Sequence, residues 1–119
     1  MDNHISWIAE LRINAGRTDE FRTLTREMIE TTKREPGALI YERFINGDTD
    51  DVYVLERYVD SASAMQHLLE FKDRYGERFS EMVSRERFTV FGNPTKELVE
   101  LLKNFNAEFI QPFDGFSRF

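Results

Sequence analysis

Two segments joined by a turn decide the fold of this chain: residues 39–45, LIYERFI, and residues 52–59, VYVLERYV. Side chains alternate across a β-strand, so a sheet with one face in water should read apolar and polar in turn. The apolar residues of the first segment instead occupy both faces of the predicted strand: Leu39, Tyr41 and Ile45 on one, and Ile40 and Phe44 on the other. Residues 52–59 repeat this pattern, so both faces of the predicted sheet need cover.

The surrounding segments supply helices for only one of those faces. Periodicity and capping residues predict a strand at 4–13, a helix at 17–34, a helix after Asp60 or Ser61, a strand at 88–91, and a helix from Thr95 to Phe105. This order is that of the ferredoxin-like β-α-β-β-α-β fold, an α+β fold with an antiparallel sheet. We expect the bare face to pair with a second copy, giving a homodimer and a dimeric α/β barrel. Residues 1–92 form the predicted domain, and residues 93–119 add a helix and a Phe-rich tail that packs on the domain or its partner.

Composition excludes several classes of protein. The 119 residues suit one domain, and the net charge of −6 argues against nucleic acid as a partner, because neutralising phosphates needs a basic surface. No cysteine is present, which rules out disulfides and thiolate metal sites. No apolar run approaches the ~20 residues of a membrane span, and the N-terminus lacks a signal-peptide pattern. We therefore expect no membrane contact and a cytoplasmic location.

Several short motifs, taken in their order and spacing, resemble those of the antibiotic biosynthesis monooxygenase family. They are WIAELRI at 7–13, Gly16, EPGALIYE at 35–42, LERY at 55–58 and the pair His67-Leu68. The resemblance covers about residues 5–92, and it implies a dimeric α/β barrel with a pocket between sheet and helices in each subunit. Some members of that family oxygenate phenols or quinols with O₂ and use neither metal nor flavin, and other relatives degrade haem.

The sequence also departs from the family pattern. Residues 70–75 carry no second histidine after His67, Tyr58 stands where a tryptophan is common, and the later part of the second helix lacks the histidine that ligates iron in the haem-degrading branch. The resemblance therefore implies a monooxygenase without a cofactor that acts on a small aromatic ligand such as a quinol or polyphenol. One alternative is a non-catalytic module that binds a small ligand or a partner on the same barrel. Another is a different reaction, such as isomerisation or lactone chemistry.

His67 is the predicted catalytic residue. Its unperturbed pKa lies near neutrality, so a histidine that faces the pocket could remove a phenolic proton, and it matches the His-Leu pair of the family. The alternative is a histidine on the helix surface, or one that only orients a neighbouring side chain. His4 has a weaker case, because it lies close to the terminus.

Five further residues are predicted to bind the substrate: Trp7, Tyr41, Arg43, Glu56 and Tyr58. The tyrosines and Arg43 would hold substrate oxygens and Trp7 would wall the pocket, although each tyrosine is better explained as a half-buried strand aromatic with a wet tip. An unpaired carboxylate is costly to bury, so Glu56 either contacts the substrate or forms an ion pair with Arg43 or Arg57, across the hairpin or across a dimer interface.

The C-terminal tail carries phenylalanines at intervals of three and four residues: Phe105, Phe109, Phe113, Phe116 and Phe119. They either pack on their own subunit or form an arm that lies across the partner or over the pocket mouth. We favour the arm, because so many aromatic side chains would not be stable in water. The sequence contains no phosphate-binding loop, no nucleophile elbow and no pair of histidines at metal spacing, so no metal site is predicted.

Overall fold

The computed structural model describes residues 2–119, and Met1, the first residue of the predicted domain, lies outside the described residues. Its elements follow the predicted order with two additions, a separate helix after Gly76 and a short last strand. In chain order they are β1 (Ile5–Ile13), α1 (Thr18–Thr32), β2 (Ala38–Ile45), β3 (Asp51–Tyr58), α2 (Ser61–Arg74), α3 (Gly76–Met82), β4 (Val83–Phe91), α4 (Lys96–Lys103) and β5 (Glu108–Ile110). The predicted ferredoxin-like α+β fold is confirmed.

The five strands form one open, mixed sheet in the order β2-β3-β1-β4-β5. The first four pair antiparallel, and β5 adds to β4 in parallel. The strand predicted at 88–91 is too short, because residues 83–87 also pair with β1 although their charged side chains show no apolar alternation. Main-chain hydrogen bonds to a neighbouring strand, which sequence periodicity does not report, extend β4.

The core lies between the helices and one face of the sheet. Alternate residues of β1 point into it: Ile5, Trp7, Ala9, Leu11 and Ile13 are all buried. One face of α1 and the added helix α4 also contribute, through Phe21, Leu24, Met28, Leu98 and Leu102. Leu69 does not belong to the core, since half of its surface is exposed on the outer side of α2.

Capping residues place two of these helices. The Asp60 carboxylate accepts a hydrogen bond of 2.8 Å from the Ser63 amide at the start of α2, and the Thr95 hydroxyl accepts one of 3.3 Å from the Leu98 amide at the start of α4. Such caps satisfy amide groups that have no partner within the helix. Among the helices that the structure describes, none combines the length and apolar character needed to cross a membrane.

Two β-bulges change which side chains reach the core. One interrupts the pairing of β2 with β3 at Leu39, so Leu39 leaves the register and is exposed, instead of sharing a face with Tyr41 as predicted. The other lies between β1 and β4, where Glu10 pairs with Arg87 and Leu11 with Arg85. A bulge inserts one extra residue and reverses the alternation beyond it. Glu86 is that residue, and Arg85 takes the position on the helix-facing side.

The sheet face opposite the helices, here called the open face, carries no helix. It presents apolar side chains from three strands, among them Phe44, Tyr53 and Phe91. The tail returns over this side of the sheet, where the guanidinium of Arg57 donates to the hydroxyls of Ser6 and Ser117 at 2.8 and 2.9 Å. The tail is therefore attached to the open face and not to the helix layer.

Candidate functional site

Three neighbouring strands place polar side chains in one row on the helix-facing side of the sheet. Glu56 of β3 is paired with Tyr41 of β2 on one side and with Trp7 of β1 on the other. Arg43, two residues after Tyr41, lies in the next row beside Val54. Alternation along each strand thus brings together residues from three separate sequence segments.

The helix layer supplies the partner of Glu56. His67 on α2 is buried and approaches Glu56 with Nε2 at 3.2 Å from Oε1. Its other ring nitrogen, Nδ1, lies 3.0 Å from Oε1 of Glu35, in the loop between α1 and β2. The hydroxyl of Tyr58 donates a hydrogen bond of 2.5 Å to Oε1 of Glu56. A continuous hydrogen-bonded chain therefore runs from Tyr58 through Glu56 and His67 to Glu35.

The charged groups of this hydrogen-bonded chain stabilise one another, which offsets the cost of burying them. Burial alone would lower the pKa of His67, but the hydrogen bonds to Glu35 and Glu56 and the charges of both carboxylates outweigh it and raise the pKa to about 9. Burial would likewise raise the pKa of Glu56, yet the hydrogen bond and positive charge of His67, helped by the Tyr58 hydroxyl, lower it. At neutral pH the site therefore holds an imidazolium beside an ionised carboxylate.

The two tyrosines of the site stay protonated. Burial, followed by the negative charge of Glu56, raises the pKa of Tyr58 well above its ordinary value and also raises the pKa of Tyr41. Arg43 donates from Nη2 to the Tyr41 hydroxyl at 2.9 Å, and its guanidinium carbon lies 4.4 Å from the centre of the Tyr41 ring. Both hydroxyls are thus hydrogen-bond partners and not anions at neutral pH.

A cavity of about 40 Å³, here called the inner cavity, lies between the sheet and the helices. Its polar lining consists of Tyr41, Arg43, Glu56, His67 and Arg85, and its walls are aromatic or aliphatic, including Trp7 and Phe105. A space of this size holds water, since one water needs about 10–15 Å³ by the same kind of measure. Arg85 lines the inner cavity and is also exposed, which places it at the boundary with solvent.

The structure brings most of the predicted site residues to one place. Trp7, Tyr41, Arg43, Glu56 and His67 line the inner cavity. Tyr58 lies outside its lining, fully buried with its ring 5.0 Å from that of Trp7 and 4.9 Å from that of His67. His67 is buried, so the surface alternative for this residue is wrong.

Among residues 2–119, Glu56 forms no ion pair with Arg43 or Arg57, so the pairing predicted across the hairpin is wrong. Arg57 points to the open face, where it bonds Ser6, because adjacent strand residues face opposite sides. Arg43 is on the correct side but folds back on Tyr41. The cation that Glu56 pairs with is His67, delivered by α2 from a part of the sequence that strand periodicity does not connect to β3.

Two residues of the site are absent from the sequence-based set. Glu35 stands in the EPG motif where the chain leaves α1, and its place beside a histidine 32 positions later depends on tertiary packing. Arg85 belongs to a charged run, SRER, which reads as a solvated strand, and only the bulge turns it inward. The motif Glu35-Pro36-Gly37 is the one local signal that could have drawn attention to the first of them.

The arrangement suits proton transfer and the binding of an anion better than metal binding. Within residues 2–119, no group of three or more histidine, aspartate or glutamate side chains is placed to hold a metal ion. The chain from Tyr58 to Glu35 offers a buried base, a buried acid and two hydroxyls. Arg43 and Arg85 add positive charge at the cavity wall, where the low dielectric strengthens their attraction for an anion.

Solved structures give the same fold. MupZ from Pseudomonas fluorescens superposes with a TM-score of 0.83 at 26% identity, over 98% of this chain and 96% of that protein. A proposed antibiotic biosynthesis monooxygenase from Bacteroides thetaiotaomicron gives a TM-score of 0.64 at 26% identity, over 71% of this chain and 84% of that one. A conserved protein from Methanosarcina mazei gives a TM-score of 0.67 at 22% identity, over 78% of this chain and 93% of that one.

A comparison with curated proteins finds no match. The sequence profile described as antibiotic biosynthesis monooxygenase matches residues 5–70, which span β1 to most of α2 and include Glu35, Glu56 and His67. That match covers more than half of the protein's residues and includes all four hydrogen-bonded residues of the site, from Tyr58 to Glu35. The protein therefore belongs to the antibiotic biosynthesis monooxygenase family.

Proposed function

We propose that the protein is a monooxygenase that needs no cofactor and oxidises a small electron-rich aromatic compound, such as a quinol or polyphenol, with O₂. One observation carries the proposal: the carboxylate of Glu56 lies against the inner cavity and is kept ionised by His67. A buried carboxylate within reach of a phenol is a base for its proton. Membership of the family, and the likeness to a proposed monooxygenase, support the assignment.

The reaction balances without a second reductant. The phenolate gives one electron to O₂, the resulting superoxide and aryloxyl radical combine at a ring carbon that carries hydrogen, and the hydroperoxide formed there loses water to leave a carbonyl. One oxygen atom enters the product and the other leaves as water, so a phenol and O₂ give a quinone and H₂O. The proton removed first is returned in that water molecule.

In this proposal Glu56 takes the phenolic proton and His67 holds Glu56 in its charged form. The sequence predicts His67 itself as the base, but both of its ring nitrogens face carboxylates and its pKa is raised to about 9. A histidine in that state gives up a proton only in alkaline solution. Tyr41 and Arg43 would hold substrate oxygens, and Trp7 would form the wall beside the ring. Tyr58 would act through Glu56, since it does not line the inner cavity.

An aromatic ring requires a larger space than the inner cavity offers. A ring of benzene size needs on the order of 150 Å³, against about 40 Å³ in this structure. Arg85 is the side chain best placed to move, because it is exposed while every other residue of the lining is buried or half-buried. Its guanidinium carbon lies 5.8 and 4.8 Å from the ring centres of Phe88 and Phe105. Substrate entry in this proposal displaces Arg85 toward solvent.

Oxygen uptake with a panel of quinols and polyphenols tests the proposal, with wild type beside Glu56→Gln, His67→Ala and Tyr53→Phe. Loss of a general base costs about 10²–10⁴-fold, so we expect that loss for Glu56→Gln and none for Tyr53→Phe on the open face. The pH dependence separates the two candidate bases. A Glu56 base gives a rate that is constant from pH 6 to 8, whereas a His67 base gives a rate that rises tenfold per pH unit.

A second candidate function is binding of a small ligand without turnover, and the size of the inner cavity favours it. The same panel distinguishes the two functions, because a compound that binds to the wild type and causes no oxygen uptake supports the binding module. Uptake that is lost in Glu56→Gln, in a variant with unchanged far-UV circular dichroism, supports the monooxygenase.

We also propose that the chain forms a homodimer through the open face, with the tail as an arm. Proteins of this family are typically dimeric. Phe44, Tyr53 and Phe91 are 54%, 38% and 38% exposed on the open face of the single chain. Phe113 and Phe116 of the tail are 99% and 79% exposed. In this arrangement α4 completes the core of its own subunit and the tail after β5 packs on the partner.

A further inference from the structure

A second and larger cavity lies on the other side of Arg43. This outer cleft, of about 430 Å³, separates α1 from the end of the β2–β3 hairpin. Its floor is apolar and buried, formed by Ile13, Phe21 and Val52, and its rim includes Phe44 and Ile45, both of which are exposed. The volume lies in the range of sites that bind small organic ligands, about 300–1,000 Å³.

The charged groups of the outer cleft are all basic. Arg22 and Arg26 project from one face of α1 and Arg43 from β2, and no acidic residue lines the cleft. The chain has 22 acidic residues, yet neither Arg22 nor Arg26 forms an ion pair with any carboxylate of residues 2–119. Exposed arginines in an acidic protein ordinarily find carboxylates, so this pair leaves a local positive field that an anion would satisfy.

Two side chains at the cleft hold buried polar atoms without partners among the described residues. They are Nε and Nη1 of Arg43 and Oγ1 of Thr25. A buried group left without a hydrogen bond is unfavourable by roughly 1–3 kcal/mol, more when it is charged. Only Nη2 of Arg43 is used, in its bond to Tyr41. The Arg43 guanidinium therefore has unused donors, and turning it toward the cleft breaks one hydrogen bond and its contact with the Tyr41 ring.

We propose that the outer cleft binds a carboxylate that carries an apolar body, with the head group on Arg43 and Arg26 and the body along the floor. The planar fork of a guanidinium matches the two oxygens of a carboxylate, which favours this head group over a neutral one. Arg43 lines both cavities, so its movement toward the head group would remove the wall between them. The proposal concerns binding alone and holds whether or not the inner cavity oxidises a substrate.

Titration calorimetry with octanoate, and with octan-1-ol as the neutral analogue, tests the proposal. We expect octanoate to bind once per chain at least tenfold more tightly than the alcohol, because the alcohol cannot form charge-assisted hydrogen bonds to the arginines. Arg43→Gln and Arg26→Gln should each weaken octanoate at least tenfold, and Thr25→Val should weaken it less. Arg34→Gln, in the turn just after the same helix and outside the cleft, should leave binding unchanged.

Location is checked by amide NMR, where octanoate should shift residues of 18–29 and 43–52 and Arg43→Gln should abolish those shifts. Equal affinity for octanoate and octan-1-ol, or an equal loss in Arg34→Gln and Arg26→Gln, would overturn the proposal. So would the absence of octanoate binding to a folded wild type. Oxygen uptake plays no part in any of these readouts, so the cleft and the oxidation reaction fail or succeed separately.

Discussion

His67 and Glu56 form a buried ion pair, with the imidazole Nε2 3.2 Å from the carboxylate Oε1, and their charges lie between the sheet and α2 where little water reaches. Glu35 accepts from the other side of the same ring at 3.0 Å. Each charge is tolerated only because the others are present, since an isolated buried charge is strongly unfavourable. The pair therefore joins the stability of the fold to the state of the candidate site.

The first prediction is that the two members of this pair are energetically coupled. Removing one partner of a buried ion pair costs about 3–5 kcal/mol, because the remaining charge is left uncompensated. His67→Gln and Glu56→Gln should each lower the free energy of unfolding by about that amount, and the double variant by clearly less than the sum. Urea unfolding of the four proteins measures the cycle. A double variant that loses the full sum of both single losses would show that the pair is not coupled.

The second prediction concerns pH. The pKa of His67 is raised from 6.5 to about 9 in the folded state, so the folded protein holds this proton more tightly than the unfolded chain does. The resulting stability is fully present below pH 6.5 and is lost as pH rises toward 9. Linkage gives a total loss of about 3 kcal/mol from this group. Urea unfolding between pH 6 and 9.5 should show the decline in wild type.

Matched histidine variants assign that decline. His67→Gln should flatten the dependence on pH, and His4→Gln, which changes the other histidine of the chain, should keep it. The imidazole signals of His67 in proton NMR should titrate near pH 9. An identical slope in wild type and in His67→Gln would assign the decline to a different group.

Local sequence patterns predicted the parts of the fold that repeat along one element. The alternation in β1, the stripe of Phe21 and Leu24 on α1, and the Asp60 cap are each set by neighbours a few residues apart. Features that depend on pairing between distant segments were missed. The bulge that turns Arg85 inward arises from a mismatch between β1 and β4, and neither strand shows it alone.

The candidate site likewise has features that local sequence predicts and features that depend on packing between distant segments. Trp7, Tyr41 and Glu56 were each predicted as site residues, but the turn between β2 and β3 left the register open, and only the pairing of the three strands places them side by side. The partner of Glu56 was not predicted, because Arg43 and Arg57 of the same hairpin are closer to it in sequence than His67 on α2. The raised pKa of His67 follows from two carboxylates on opposite sides of its ring, which is a tertiary arrangement that no local pattern encodes.

The third prediction tests the tail as a dimer arm. Phe113 and Phe116 are almost fully exposed in the single chain, so replacing both by serine should not alter the stability of the isolated fold. If both rings are buried by the partner, their loss removes about 2–3 kcal/mol each. Sedimentation equilibrium should then show dimerisation at least a hundredfold weaker than in wild type.

Leu69→Ser is the control for that experiment, because Leu69 is also exposed but lies on the helix side of the molecule. Its dimerisation should equal that of wild type. A wild type that sediments as a folded single subunit at micromolar concentration would contradict the homodimer. If the double phenylalanine variant dimerises as tightly as wild type, the tail is not a dimer arm. The proposed contact between the two sheets would not be affected by that result.

The fourth prediction concerns Gly37, which holds the loop of Glu35 against the start of α2. A Cβ at this position would overlap the side chain of Ser63, so Gly37→Ala must push the loop and the helix apart. Overpacking of this kind costs about 1–3 kcal/mol, and the displaced Glu35 should lower the pKa of His67 measured by NMR. Gly47→Ala, where nothing lies within 4 Å of the added Cβ, should cost little and leave that pKa unchanged. Adding Ser63→Gly to Gly37→Ala removes the overlapping side chain and should restore both quantities, whereas no recovery would show that Ser63 is not the obstacle.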